Sequence, residues 1–195
     1  MAHTRTKTSA VPTLLRLFLL GSFRIERAAQ TIHLPTRKIE TLLAFLALFP
    51  EPHPREKLAA LLWGDVTDEQ ARTSLRTALA ALRKELGDDI LLADRETVQL
   101  NPDNPIWVDA CAFEQFATND PPSAITLYQG KLLPDFYDDW IAPERERLRT
   151  LYLDTLLQLV QQARSESKYA RAIELARQVL SADPANERAH QHLMF

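Results

Sequence analysis

The sequence predicts an α+β region over residues 14–101 followed by an all-α region over residues 110–195, so the chain should be predominantly helical overall. Two observations carry this prediction. Short apolar runs of strand length stand before and after a block of three helix-length patterns. Every pattern beyond residue 109 then has helical length and is bounded by Gly or Pro.

Length and composition agree with a folded, globular chain. The 195 residues are 46% hydrophobic and 25% charged, and a single cysteine excludes a disulfide framework or a zinc site built on paired thiolates. The apolar run 11–23 is broken by Pro12 and Arg16, so we expect neither a membrane span nor secretion, and a cytoplasmic protein. Residues 1–13 are polar and aperiodic, and we expect a flexible tail.

The α+β region begins with three strand-like runs, residues 14–20, 23–25 and 31–34. Thr36 is placed to cap a first helix over 37–49. Pro54 suits the first position of a second helix, which ends at Gly64. Two further strand-like runs, 90–92 and 97–100, predict a hairpin, and the two prolines of 102–109 mark that segment as a linker.

The third helix has the clearest limits. Thr67 and Gln70 form a capping box, and Gly87 stands where a helix usually ends. Its leucines at 75, 79, 82 and 86 recur at spacings of four, three and four, which predicts one buried stripe. The opposite face carries short residues and cations: Arg72, Thr73, Arg76, Thr77, Ala80, Arg83 and Lys84.

Strands, three helices and a terminal hairpin occur in this order in a winged helix-turn-helix domain. A major groove about 12 Å wide admits one helix, with short residues for close approach and long cations for phosphates and guanine edges. We therefore predict that helix 68–86 binds DNA. The alternative is a solvated face of an ordinary amphipathic helix. Arg95 at the hairpin tip is a candidate for a minor-groove or phosphate contact, although Asp94 and Glu96 flank it.

The same residues carry a family resemblance. Residues 55–65 (REKLAALLWGD) and 71–87 (ARTSLRTALAALRKELG) resemble the OmpR-type winged helix of SARP-class bacterial transcriptional regulators. Residues 125–134 (ITLYQGKLLP), 138–140 (DDW) and 144–149 (ERERLR) resemble the bacterial transcriptional activator domain that follows it. The resemblance implies an activator that binds tandem direct repeats in double-stranded DNA and contacts RNA polymerase. The sequence departs from the family in lacking a glycine at the wing turn.

The all-α region has a pattern of its own. Ala172, Ala176, Val179 and Pro184 follow the spacing of a tetratricopeptide repeat, although any pair of crossing helices can use alanine at its contact. The family continues beyond Phe195, so we expect a piece of a longer regulator with further domains. We also expect the helix around Ala189, Leu193 and Met194 to lack part of its cover.

Other chemistry finds little support in the sequence. The four glycines are isolated, which excludes a phosphate-binding loop. His190 and His192 would point to different sides of a helix, so we predict no metal site, no cofactor and no enzymatic activity. Cys111 is expected to be a small buried hydrophobe. The competing function is a protein-interaction scaffold that uses the winged domain and the repeat-like helices to bind a protein partner.

Overall fold

The structure, a computed structural model, describes residues 14–193. The tail predicted at 1–13 and the side chains of the last three residues lie outside this description. The chain begins with β1 (Leu15–Phe18), β2 (Arg24–Arg27) and β3 (Gln30–Ile32), which pair in antiparallel order. Three strands were predicted here. Ala28 and Ala29 both have positive φ and make the tight turn between β2 and β3.

Three helices follow, as predicted: α1 (Arg37–Leu48), α2 (Arg55–Trp63) and α3 (Asp68–Leu86). The prediction for Pro54 was wrong in one respect. With His53 it forms the short strand β4, which pairs with the wing, so Pro54 precedes α2 and is not its first residue. Thr36 begins α1 with its carbonyl, which accepts from the Ile39 and Glu40 amides, and its side chain makes no cap hydrogen bond.

The predicted hairpin is present as β5 (Leu91–Ala93) and β6 (Thr97–Leu100), preceded by a single 3₁₀ turn at Asp88–Ile90. With β4 it forms a second sheet in the order β4-β6-β5. Val98 is fully buried and joins the wing to the core under the three helices. The first half of the chain is thus a winged helix-turn-helix.

The predicted linker contains a strand that the sequence interpretation missed. β7 (Ile106–Val108) pairs in parallel with β1 and completes a four-stranded sheet in the order β3-β2-β1-β7. Pro105 lies just before β7, where it takes no hydrogen bond away from the ladder. The three residues IWV are too short to give an alternation, so their pairing depended on the tertiary structure.

The second half is helical throughout, as predicted, with α4 (Asp109–Asn119), α5 (Pro121–Leu127), α6 (Ile141–Ser165), α7 (Tyr169–Ala182) and α8 (Glu187–Leu193). Two prolines occupy the first turn of α5, where their missing N–H groups cost no hydrogen bond. α6 and α7 enclose a separate core in which Ala172, Ala176 and Val179 are buried. Ala189 on α8 is also fully buried there.

The larger core extends through both halves of the chain. Phe113, Leu132 and Leu148 from the second half belong to the same buried cluster as the leucines of the winged region. Leu20 and Leu132 form an isolated β-bridge, and Phe45 on α1 packs edge-on against Trp140 at 5.2 Å between ring centroids. The limits assigned to the two domains stay a prediction, but no core boundary falls at residues 102–109.

Two charged side chains hold this junction, the buried Asp109 and the half-buried Arg145. The Asp109 carboxylate accepts hydrogen bonds from the backbone amides of Leu19 (2.8 Å), Leu20 (3.0 Å) and Ala110 (2.7 Å). Burial raises the pKa of Asp109, and the three amides act against that rise. Arg145 on α6 donates to the carbonyls of Leu132, Leu133 and Phe136 at 2.6–3.1 Å.

Candidate nucleic-acid interface

The capping box and Gly87 fix the two ends of α3. The Gln70 amide donates to Thr67 Oγ1 (3.4 Å), and the Thr67 amide donates to Gln70 Oε1 (3.2 Å), so the predicted capping box is confirmed. Gly87 has φ +106°, a conformation that favours glycine, and its amide donates to the Arg83 carbonyl. The Arg27 guanidinium donates to the Leu86 carbonyl, which places a cation at the negative end of the helix.

The two faces of α3 differ as the spacing predicted. The four leucines at 75, 79, 82 and 86 are each at most 2% exposed, with Ala71 and Ala78 beside them. Seven of the eight predicted DNA-binding residues are exposed, and Arg83 alone is half-buried. The structure therefore brings the seven residues of the helix together on its outer face, and it leaves Arg95 apart on the wing.

Four of the cations on this surface have no acceptor within residues 14–193. No hydrogen bond or ion pair engages the side chains of Arg76, Arg83, Lys84 or Arg95 in that part of the chain. The short residues leave little bulk beside them, and the Thr77 hydroxyl donates back to the Thr73 carbonyl at 3.1 Å. The outer face of α3 thus offers free cations next to a shallow polar surface.

Arg72 differs from the other cations, because its Nη2 lies 2.8 Å from Glu56 Oε1 on α2. Both side chains are more than half exposed, so the pair contributes at most about 1 kcal/mol to stability. The sequence analysis placed Arg72 on the outer face of α3 without a partner. A carboxylate sixteen residues away leaves no signal in a helical pattern, and only the packing of α2 on α3 brings it close.

The wing turn is closed by a side chain in place of a glycine. Asp94 Oδ1 accepts from the Glu96 and Thr97 amides at 2.7 Å, and these hydrogen bonds lower the pKa of the Asp94 carboxyl. Positive φ is absent from residues 94–97, so the turn does not require glycine. Arg95 stands exposed at the tip, held by a defined turn.

Arg55 is a further residue of this surface that sequence reasoning missed. Its backbone amide donates to the Glu96 carbonyl (2.8 Å), and its guanidinium donates to the Asp94 carbonyl (3.1 Å). Arg55 begins α2, so these hydrogen bonds fasten the wing to the helix-turn-helix. The two segments are brought together by the pairing of β4 with β6, which a two-residue strand does not reveal in a sequence.

The remaining candidate groups have ordinary structural roles. Within residues 14–193 no group of His, Cys, Asp and Glu could hold a metal ion. His190 Nε2 contacts the Pro184 carbonyl at 2.9 Å. Cys111 was expected to be buried but is exposed, while its Sγ lies 3.8 Å from the Ala47 carbonyl and partial burial of the thiol raises its pKa to about 11. The described part of the chain contains no helix long and apolar enough to cross a membrane.

A winged helix-turn-helix with a basic outer helix, joined to a helical domain, is an architecture that winged-helix transcription factors use. Residues 114–195 match the family described as the bacterial transcriptional activator domain. Among solved structures, the chain is similar to Mycobacterium tuberculosis EmbR in complex with a low affinity phosphopeptide, at a TM-score of 0.76 and 21% sequence identity. A comparison with curated proteins finds no match.

The similarity to EmbR covers 93% of this chain and 54% of that one, so this chain spans about half of its length. At this identity the similarity shows a shared fold. The domain match and the shared fold confirm the resemblance to the SARP class of bacterial transcriptional regulators. They also confirm the predicted fold class, a winged helix followed by an all-α domain.

Proposed function

We propose that this regulator is a sequence-specific DNA-binding transcriptional activator and that α3 enters the major groove. The observation that carries the proposal is the outer face of α3, where Arg76 and Lys84 have no acceptor within residues 14–193 and flank the short side chains of Thr77 and Ala80. Long cations beside short residues suit close approach to base edges. A helix whose inner face is fully buried also holds these groups at fixed positions.

The exposed residues divide into three roles in this proposal. Thr73, Thr77 and Ala80 face the floor of the groove, and Arg76, Arg83 and Lys84 contact bases or phosphates. Arg72 exchanges Glu56 for a phosphate when DNA binds, which costs little because the ion pair is exposed. Arg95 reaches the adjacent minor groove or its phosphates from the tip of the wing.

Several partners follow from the resemblance to the SARP class. The protein would bind tandem direct repeats in double-stranded DNA and contact RNA polymerase, and its full-length chain would carry further domains. We place it in the cytoplasm and assign it no enzymatic activity. The rival function, a scaffold that binds a protein through the winged domain and the helical pairs, requires no free cations on α3, so charge-removing variants of α3 distinguish the two.

The first test measures DNA affinity directly. A duplex selected from a random-sequence pool by the 195-residue chain is titrated with the parent protein and with Arg72→Ala, Arg76→Ala and Lys84→Ala. A residue that reads a base should lose about 1–3 kcal/mol of specific binding, whereas a phosphate contact should lower the salt slope by about one unit. Arg171→Ala, which removes an exposed arginine from α7, is the matched control.

The outcome separates the two functions. Equal affinity in the parent, the three α3 variants and the Arg171→Ala control would refute recognition by α3. Selection of no duplex by the parent chain, combined with capture of a protein that the α3 variants also capture, would favour the scaffold. Weakened binding in the α3 variants alone would support the activator.

A second test concerns the geometry of binding. The leucines of α1, α2 and α3 are buried in one core except Leu48, which is half-buried, and Leu61, which is exposed, so within residues 14–109 these helices offer no row of exposed leucines for a two-fold dimer. Protomers should therefore bind head to tail on half-sites repeated at about 10–11 base pairs, which puts successive recognition helices on one side of the duplex. Insertion of five base pairs between half-sites should abolish cooperative binding, as measured by gel shift. Equal binding to an inverted repeat would refute this arrangement and leave DNA binding intact.

A further inference from the structure

A cleft lies on the face of the N-terminal sheet that points away from the main core. The outward residues of β1, β2 and β7 form one wall, and the end of α5 with the turn after it forms the other. Its volume of about 500 Å³ is within the range of small-molecule sites, about 300–1,000 Å³. The residues that matter are Arg16, Phe18, Arg24, Trp107, Leu127 and Gln129.

Two aromatic rings line the sheet side of this cleft. Phe18 and Trp107 meet edge to face with ring centroids 5.4 Å apart, and both are half-buried. Trp107 is placed there by the pairing of β7 with β1, in which it is the partner of Arg16. Rings of this size on the outer face of a sheet give this wall of the cleft a flat aromatic lining.

Two guanidinium groups lie over these rings. Arg16 Cζ is 4.6 Å from the Trp107 ring centroid and 5.1 Å from that of Phe18, and Arg24 Cζ is 4.0 Å from Phe18. Arg24 is paired with Glu26 at 2.7 Å. Arg16 has no carboxylate or other acceptor within residues 14–193. A guanidinium stacked on a ring keeps its N–H edge free, and that edge matches a carboxylate or phosphate in two parallel hydrogen bonds.

The walls of the cleft are fixed before any ligand binds. The Gly21 amide donates to the Lys131 carbonyl at 3.0 Å, and the Leu133 amide donates to the Leu19 carbonyl at 2.9 Å. Asp109 also lines the cleft, and backbone amides donate to both of its oxygens, so the carboxylate is held in place and its charge is partly compensated. A preformed site of this kind loses little binding free energy to the ordering of its own side chains.

We propose that this cleft binds a small anionic molecule that carries a planar ring. The anionic group accepts hydrogen bonds from Arg16, the ring packs between the Arg16–Trp107 wall and Leu127, and Gln129 supplies a neutral polar contact. A phosphate and a carboxylate would both satisfy Arg16. The cleft is separate from α3, so this proposal and the DNA-binding proposal can fail independently.

The test is calorimetric titration of the 195-residue chain with four probes. AMP and 4-hydroxybenzoate each combine a ring with an anion, one as a phosphate and the other as a carboxylate, whereas adenosine and inorganic phosphate each provide one part alone. At least one combined probe should bind with a Kd of about 1 mM or lower, and the single-part probes should bind at least about tenfold more weakly. Whichever of AMP and 4-hydroxybenzoate has the lower Kd identifies the anionic group that the cleft prefers.

Three variants locate the bound probe. Arg16→Ala should lower the affinity for the combined probe at least about tenfold, and Arg16→Lys should retain part of that affinity. Arg76→Ala on α3 should leave the affinity for the probe unchanged. Thermal melting confirms that each variant is folded. The proposal is overturned if neither combined probe binds with a Kd of about 1 mM or lower, if adenosine or phosphate binds as well as the combined probe, or if folded Arg16→Ala retains parent affinity.

Discussion

The outer face of α3 and the junction around Asp109 both carry charged side chains, but the junction satisfies its charges within the protein, whereas on α3 only Arg72 of the outer cations has an acceptor within residues 14–193. Asp109 accepts three backbone amides and Arg145 donates to three carbonyls, whereas Arg76 and Lys84 have no acceptor within residues 14–193. A buried charge without partners strongly destabilises the folded protein, whereas an exposed charge does not, because water solvates it. Charged residues therefore stabilise the fold at the junction and are available for a partner on α3.

The comparison predicts that substitutions at the junction change stability, whereas substitutions on α3 change binding. Three measurements test this separation, in order of decreasing effect on the free energy of unfolding.

Leu148→Ala should have the largest effect, about 2–5 kcal/mol, because Leu148 is fully buried in the core that both halves share. Denaturant unfolding followed by circular dichroism measures the loss. The variant should also speed hydrogen exchange at the amides of Leu17 and Ile25 in the N-terminal sheet. Unchanged exchange there would show that the two halves unfold separately and would contradict a common core.

Asp109→Asn should cost about 1–3 kcal/mol, because the amide nitrogen of asparagine cannot accept a hydrogen bond and at least one buried backbone N–H loses its partner. Denaturant unfolding is again the measurement. Asp154→Asn, an exposed position on α6, is the matched control and should stay within about 0.5 kcal/mol of the parent. Equal stability in the two variants would mean that the junction does not depend on this carboxylate.

Arg76→Ala should have the smallest effect, within about 0.5 kcal/mol of the parent, because the side chain is exposed and has no acceptor in the described chain. The same denaturant titration measures it, and the protein preparation is the one used for DNA binding. A loss of more than about 1 kcal/mol would indicate that Arg76 supports the fold, which would weaken its assignment to DNA.

The cleft above the sheet combines features of both regions. Arg24 is paired with Glu26, as charges are at the junction, while Arg16 has no acceptor in the described chain, as on α3. Its rings are held by strand pairing, and the Asp109 carboxylate that also lines it is held by backbone amides. Because the walls of the cleft are fixed and Arg16 has no acceptor in the described chain, we expect a ligand to bind there.

The sequence by itself determined the elements whose signals are local. The capping box at Thr67 and Gln70, the leucine stripe of α3 and the glycine at its end lie within one turn or one helix of each other, so spacing alone predicted which residues would be exposed. The resemblance of residues 125–149 to the activator domain was likewise readable from the sequence. The capping box, the leucine stripe and the glycine that ends α3 each involve residues that are near one another in the chain.

Only the tertiary structure decided the contacts between distant segments. Asp109 bonds to amides ninety residues earlier, Glu56 meets Arg72 across two helices, and β7 finds β1 from within a segment predicted as a linker. None of these pairs leaves a periodic trace, because hydrogen bonds and ion pairs between remote segments depend on how whole elements pack. The residues exposed on α3 therefore followed from helical spacing, while the junction and the cleft followed from the packing of the complete fold.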